Sequence, residues 1–192
     1  MRRLLVAILA AAAFAAAACG VPVDERAATV KDVPFGLLDP EPSEPAEAAQ
    51  PETGPVVQVY FVDPSGQLLV PAERTVEEAA LGPVLQALLE GPTRAERRQG
   101  LGTAFPGMEA VARVELVGGV ASVDLTQQFT TLDGPRQRLA IAQIVLTLTG
   151  RPGVGRVAFS LQGQPIDVPR GDGTLVQGSV SRDNYRELFP AG

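Results

Sequence analysis

The sequence contains no histidine and no tryptophan, a single cysteine (Cys19) and a single lysine (Lys31). Each absence removes a class of chemistry. Without histidine there can be no Ser-His-Asp or Cys-His pair. Because Lys31 and Cys19 both lie near the N-terminus, the rest of the chain has no Ser-Lys nucleophile pair, no Schiff-base amine and no ordinary zinc site. One cysteine cannot form an intramolecular disulfide, and no D-x-D-x-D-G calcium loop occurs. No cofactor and no metal are expected, and the chain is read as something other than an enzyme. Positive charge is scarce as well. Setting aside Arg2 and Arg3, 14 basic residues face 22 acidic ones, a balance that argues against nucleic acid, which needs a basic footprint. It equally disfavours adsorption of the protein surface to anionic lipid.

What the chain does have begins with a targeting pattern. Arg2 and Arg3 precede an uncharged Ala/Leu-rich run, Leu4 to Ala18, and Cys19 follows directly. The run reads as a secretory signal and falls short of the roughly 20 apolar residues that span a bilayer. Cys19 after Ala16-Ala17-Ala18 resembles a bacterial lipobox, with Ala16 where leucine is usual. That resemblance implies cleavage after residue 18 and acylation (palmitate-type) of the Cys19 thiol. At about 0.8 kcal/mol per buried CH₂, two or three acyl chains hold a protein at a membrane without a spanning helix. The expected location is therefore extracytoplasmic, lipid-anchored to the outer face of the cell membrane.

Residues 19–55 read as the lipidated cysteine and a linker. From Gly20 to Pro55 the chain holds seven prolines and eight acidic residues against Arg26 and Lys31, with no hydrophobic period to bury. Its reach is about 110 Å as a polyproline helix, or about 30–36 Å as a coil. One apolar island, Val33 to Leu38, is a docking segment or simply part of the solvated linker.

Residues 56–192 suffice for one domain with a single core. Val56 to Val62 reads as a strand. Asp63-Pro64-Ser65-Gly66 fits a type I turn, and Gln67 to Pro71 returns as a short edge strand. A helix is expected from Pro83 to Glu90 with Val84, Leu85, Leu88 and Leu89 inward, stopped by Gly91-Pro92. Thr93-x-x-Glu96 opens a second, shorter one by a capping box. Val111–Val117 and Val120–Leu125 form a hairpin about Gly118-Gly119, in the register that pairs Val117 with Val120, Arg113 with Asp124 and Ala112 with Leu125. Asp133-Gly134-Pro135 starts the second main helix with Pro135 first, and Leu139, Ala142, Val145 and Leu146 form its stripe. A strand from Val154 to Gln162 is followed by a Gly163-Gln164 turn that pairs Leu161 with Ile166 and Phe159 with Val168. Arg182–Leu188 is a short terminal helix. The order gives an α+β fold: two main helices packed on one face of a small, mostly antiparallel sheet.

The candidate residues are few. Asp124 is the carboxylate to inspect for glycoside-type chemistry, although its cross-strand place opposite Arg113, or a cap on the next turn, is the blander role. Arg94, Arg97 and Arg98 share a helix face, either a partner patch or a solvated surface. Arg136 and Arg138 sit near a helix start, where positive charge opposes the macrodipole. Gln143 and Thr147, one turn apart in an apolar helix, are expected to hydrogen-bond a neighbouring element. Gly150 to Gly155 lies after a helix and before a strand, the wrong order for a phosphate loop.

A series of segments resembles the GerMN domain, known from sporulation and spore-germination proteins and from bacterial envelope lipoproteins. They are Leu88-Leu-Glu-Gly-Pro-Thr93, Gly119-Val-Ala-Ser-Val-Asp-Leu-Thr-Gln-Gln-Phe129, Leu139-Ala-Ile-Ala-Gln-Ile-Val-Leu-Thr-Leu148 and Pro152-Gly-Val154. They stand in family order between about Val57 and Val168. Asp124, Thr126 (usually Ser), Phe129 and Gln143 are its motif positions here. The composition and Asp32-Val-Pro-Phe-Gly-Leu-Leu38 are similar to actinobacterial members. The resemblance implies an α+β fold akin to ring-building modules of envelope assemblies and carries no catalytic residue. It implies a non-catalytic module that contacts an envelope protein partner. A module for peptidoglycan or another wall polymer is the second reading, and a carboxylate-based wall hydrolase the third.

Overall fold

A computed structural model describes residues 53–190; the signal, Cys19 and linker expectations lie outside the described residues. Two antiparallel strands open the domain, β1 (Val56–Val62) and β2 (Leu69–Thr75), registered from Val56↔Thr75 to Val62↔Leu69. The turn between them is the expected one. Gly66 N–H donates to the Asp63 carbonyl at 2.9 Å, and the Asp63 carboxylate accepts from Ser65 Oγ at 2.7 Å and Leu68 N at 3.0 Å. The Ser65 bond leads in holding that carboxyl below its ordinary range. The return strand begins later and runs further than expected, with Pro71 inside it opposite Tyr60. This costs no ladder bond, because the Tyr60 N–H and C=O point away from β2, making Tyr60↔Pro71 a pair that exchanges none.

Helix α1 (Leu81–Leu89) starts two residues before Pro83. Proline fits there because the first four helical N–H groups have no acceptor within the helix. Gly91 adopts φ +79° and ends the run ahead of Pro92. The short α2 (Arg94–Arg98) carries the expected capping box, with Glu96 N–H donating to Thr93 Oγ1 at 3.2 Å and Thr93 N–H to Glu96 Oε2 at 2.7 Å.

The hairpin of β3 (Val111–Val117) and β4 (Val120–Leu125) keeps the expected register from Val117↔Val120 to Arg113↔Asp124. The last pair differs. A bulge puts Val111, not Ala112, opposite Leu125. The extra residue turns the larger Val111 toward the core and leaves Ala112 outside. From β4 the chain crosses through α3 (Gly134–Thr149) to β5 (Arg156–Leu161), which lies parallel to β4 in the register Val120↔Arg156 to Leu125↔Leu161. The turn after β5 falls at Gln162-Gly163, φ +51° and +80°, so Leu161 pairs with Gln164 and not with Ile166. A two-residue turn with positive φ at both centres suits the strand twist, and Gly163 supplies one at no steric cost. Val168 therefore does not meet Phe159. It joins a separate two-stranded ribbon, β7 (Val168–Pro169) with β8 (Leu175–Val176). Two further short strands, β6 (Gln164–Pro165) and β9 (Ser179–Val180), share the free side of β5.

The expected α+β architecture is thus present, its β structure divided into a five-stranded sheet and two ribbons. Pro135 is the second residue of α3, one later than expected, and Asp133 Oδ1 caps the helix by accepting Arg136 N–H at 2.9 Å. Every residue from Leu139 to Leu148 is buried. This helix has no wet face over that span because β1, α1, β5, β7 and the tail all pack on it, as all-round burial requires. The tail, Arg182–Leu188, is helical as expected but breaks at Tyr185 into two tight turns. Tyr185 is fully buried and its hydroxyl donates to Pro169 O at 2.9 Å. Among the described residues no helix is long and apolar enough to cross a membrane.

Candidate interaction surface

Three of the four motif residues turn out to be fasteners. Gln143 is fully buried; its Nε2 donates to Tyr60 O at 2.6 Å and its Oε1 accepts Ala104 N–H at 2.8 Å. One turn on, Thr147 Oγ1 accepts Tyr60 N–H at 3.2 Å. The outward backbone groups of Tyr60, which no strand pairs, are therefore both met by α3 side chains. This is the bond to a neighbouring element that the sequence called for. Thr126 caps the turn Gln127–Thr131 by accepting Gln128 N–H, and its hydroxyl donates to Glu109 O at 2.6 Å.

Asp124 faces Arg113 across β3–β4, yet its carboxylate serves the other neighbour. Oδ1 accepts Ser160 Oγ at 2.6 Å and Gly163 N–H at 2.8 Å. The Ser160 bond first, and then Gly163, hold the carboxyl below its usual range. Arg113 instead reaches Glu115 at 3.4 Å on the open surface. A carboxylate so held is a poor proton donor near neutral pH, and it works as a pin for the β5–β6 turn. Among the described residues no group of three or more acidic side chains, histidines or cysteines could hold a metal.

The arginines divide into two features. On α2, Glu96 turns inward and binds Arg74 through both oxygens, at 2.9 and 2.6 Å. The Arg74 bond leads in lowering its pKa to about 2. Arg94, Arg97 and Arg98 line a shallow depression on the same helix. Arg97 donates to Pro92 O and Arg98 to Arg94 O, and none of the three has a carboxylate partner among the described residues. The second feature lies at the start of α3. Arg136 is exposed. Arg138 is half-buried and lines a cavity of about 360 Å³ together with Phe129, Pro135, Gln137, Asp167 and Leu175. The structure thus brings Phe129 and Arg138 to one cavity. Asp167 and Leu175 were missed in the sequence, because they arrive from a ribbon that no periodicity announces.

An apolar edge was also missed. β3 is the outer strand of the five-stranded sheet; Leu116 and Val117 at its end and Met108 just before it are 47%, 68% and 50% exposed. Leu85, Leu89, Met108, Val111 and Val114 line a groove between α1 and this edge. Leu116 lies opposite the fully buried Ala121, yet at the edge it is itself uncovered by any described residue.

Comparison with protein families matches residues 58–167 to Germane, described as sporulation and spore germination. Lipoprotein LpqB of Cutibacterium acnes is 29% identical over 141 residues, covering 70% of this chain and 23% of that protein, so the chain spans less than a quarter of that relative's length. Among solved structures, the first GerMN domain of the sporulation protein GerM from Bacillus subtilis superposes with a TM-score of 0.55 at 19% identity, over 67% of this chain and 98% of that one. The tandem GerMN domains of GerM give 0.50 at 18% identity, over 68% of this chain and 47% of theirs. At such identities the likeness is one of fold.

Proposed function

Because this chain belongs to the Germane family of sporulation and spore germination domains, we propose that it is a lipoprotein whose GerMN domain docks onto another protein of the cell envelope. Cys19 carries the lipid anchor, residues 20–55 are the tether and residues 56–192 the domain. The observation that carries this reading is how the polar groups are used. Asp124, Thr126, Gln143 and Thr147, the side chains best placed for chemistry, are each bonded into the fold. What faces outward is an arginine cluster on α2 and an apolar sheet edge, which is the material of recognition and not of catalysis. The name of the C. acnes relative, a lipoprotein, supports the anchor. Against the wall-polymer reading, the chain has no tryptophan and its two tyrosines, Tyr60 and Tyr185, are both buried, so neither offers a ring for stacking on sugars.

Fractionation of the producing cells tests the placement. The full chain should sediment with membranes and be released by detergent, whereas Cys19→Ser should appear soluble outside the cytoplasm. Purified sacculi should pellet neither form at moderate salt. Wild type in the cytosol, or specific pelleting with sacculi, would remove the reading.

A further inference from the structure

A partly buried guanidinium needs its charge and its N–H groups answered from close by. Arg74 meets that need through both oxygens of Glu96. Arg138 does not. It makes one hydrogen bond, from Nη1 to Gly171 O at 3.1 Å, its Nε is buried without a partner, and no carboxylate among the described residues pairs with it. Asp133, the nearest acid in sequence, accepts Arg136 N–H instead. The Gly171 carbonyl that holds Arg138 is itself fixed. A Cβ on Gly171 would come within 3.1 Å of Asn184 O and 3.2 Å of Tyr185 Cα, so that backbone is wedged against the tail. Arg151 and Arg170 also have unpartnered Nε atoms, but only Arg138 of the three lines the cavity at α3.

That cavity, about 360 Å³, is near the small end of ligand pockets, which span about 300–1,000 Å³. Its contents are specific. Arg138 offers positive charge, and Asp167 offers acceptor oxygens. Gln137 adds its Oε1, its Nε2 being bonded to Leu132 O at 2.9 Å. Phe129, Pro135 and Leu175 give apolar wall. Asp167 repels a doubly charged anion such as phosphate about twice as strongly as a single carboxylate at the same distance, and the small volume suits the end of a chain better than its middle. A peptide terminus matches each part. Its carboxylate answers Arg138, its last amide N–H answers Asp167 or Gln137, and a small apolar terminal side chain lies on the wall. Capture of a chain terminus is a known mode of peptide recognition.

The geometry points to this cavity, between α3 and the β7–β8 ribbon, as the socket for the free C-terminus of an envelope protein ending in a small apolar residue. This deepens the partner-protein reading and rests on it. The test is an NMR titration of the full ¹⁵N-labelled chain in mild detergent with three probes: acetyl-Gly-Leu-Ala with a free carboxylate, the same peptide as its amide, and acetyl-Lys-D-Ala-D-Ala. The free acid should give saturable shifts at Gly134, Gly173 and Leu175, and the amide should bind at least about tenfold more weakly, as loss of a charged hydrogen bond implies. Arg138→Gln should weaken the acid by a similar factor, while Arg136→Gln leaves it unchanged. Should Arg138→Gln fold poorly, Leu175→Asp, at a position 69% exposed, keeps the test open by setting a negative charge beside the carboxylate. Equal binding of acid and amide overturns the socket, as does absence of binding at about 10 mM or indifference to both variants. Preference for the D-Ala peptide overturns it too, by giving the pocket to the wall. Any of these leaves the partner-protein reading to be judged separately, by capture in cells.

Discussion

Gln143 and Thr147 stand in for a strand. β1 pairs along its length with β2, and on its other side, where only Val62 finds backbone partners in Gly102, the Tyr60 N–H and C=O would be buried without partners if α3 were apolar throughout. An unmet buried polar group costs about 1–3 kcal/mol. Gln143→Leu strands two of them, Tyr60 O and Ala104 N–H, so it should destabilise the domain by about 2–5 kcal/mol in urea unfolding. Thr147→Val, which strands one, should cost about 1–2 kcal/mol. A polar pair four apart in an apolar helix has no other use, which is why its bonding was legible in the sequence. Its partner was not, because Tyr60 is 83 residues away from Gln143. Glu96 gives a second test at this scale. Its carboxyl titrates at about 2 when folded, against an ordinary 4.5. A depressed acid contributes stability above its unfolded pKa and loses it as pH falls through the folded one. Stability should therefore drop between about pH 4.5 and 2, by about 1–2 kcal/mol after solvent screening. Glu96→Gln should flatten that part of the profile, as followed by thermal melts.

Elements announced by their own ends were read to within a residue or two, whereas features defined by distant partners were missed. Thr93-x-x-Glu96, Asp133-Gly-Pro and Asp63-Pro-Ser-Gly each contain their hydrogen-bonding groups locally, so the sequence is enough. The Ala112 bulge, the ribbon at Val168 and the parallel seat of β5 depend on contacts across the chain. The same contrast explains the turn after β5. Asp124, held by Ser160 and Gly163, comes from a strand nearly forty residues earlier and fixes the turn at Gln162-Gly163. Asp124→Ala should loosen that turn alone. Amide exchange at Gly163 should accelerate while the β3–β4 amides stay protected, and global stability should fall by about 1 kcal/mol, the scale of a hydrogen bond near the surface. The cap on α3 is more general in effect. Asp133→Ala should cost about 1 kcal/mol and lower the thermal midpoint without altering either arginine feature.

For the whole molecule, the chain's scarcities shape what can be measured. With Lys31 as its sole lysine, residues 56–192 offer no side-chain amine, and amine-reactive cross-linkers cannot report their contacts. The positive charge of residues 56–192 is arginine throughout, always charged and weakly hydrated, and Arg94, Arg97 and Arg98 are the ones on α2 without a carboxylate partner among the described residues. Family membership was legible because its motifs are local runs of sequence. The binding surface was only half legible, since the arginines could be singled out but Asp167, Leu175 and the β3 edge acquire meaning only in the fold. The central claim is that this is a docking module for another envelope protein. Photo-crosslinking in the producing cells tests it most directly, with probes placed one at a time at Arg97, Leu116 and Leu175 of the full chain. The account predicts one recurrent envelope protein captured from at least one of these positions, and lost when the chain carries Cys19→Ser. Capture of wall fragments alone, or of no specific protein from any position, would contradict it.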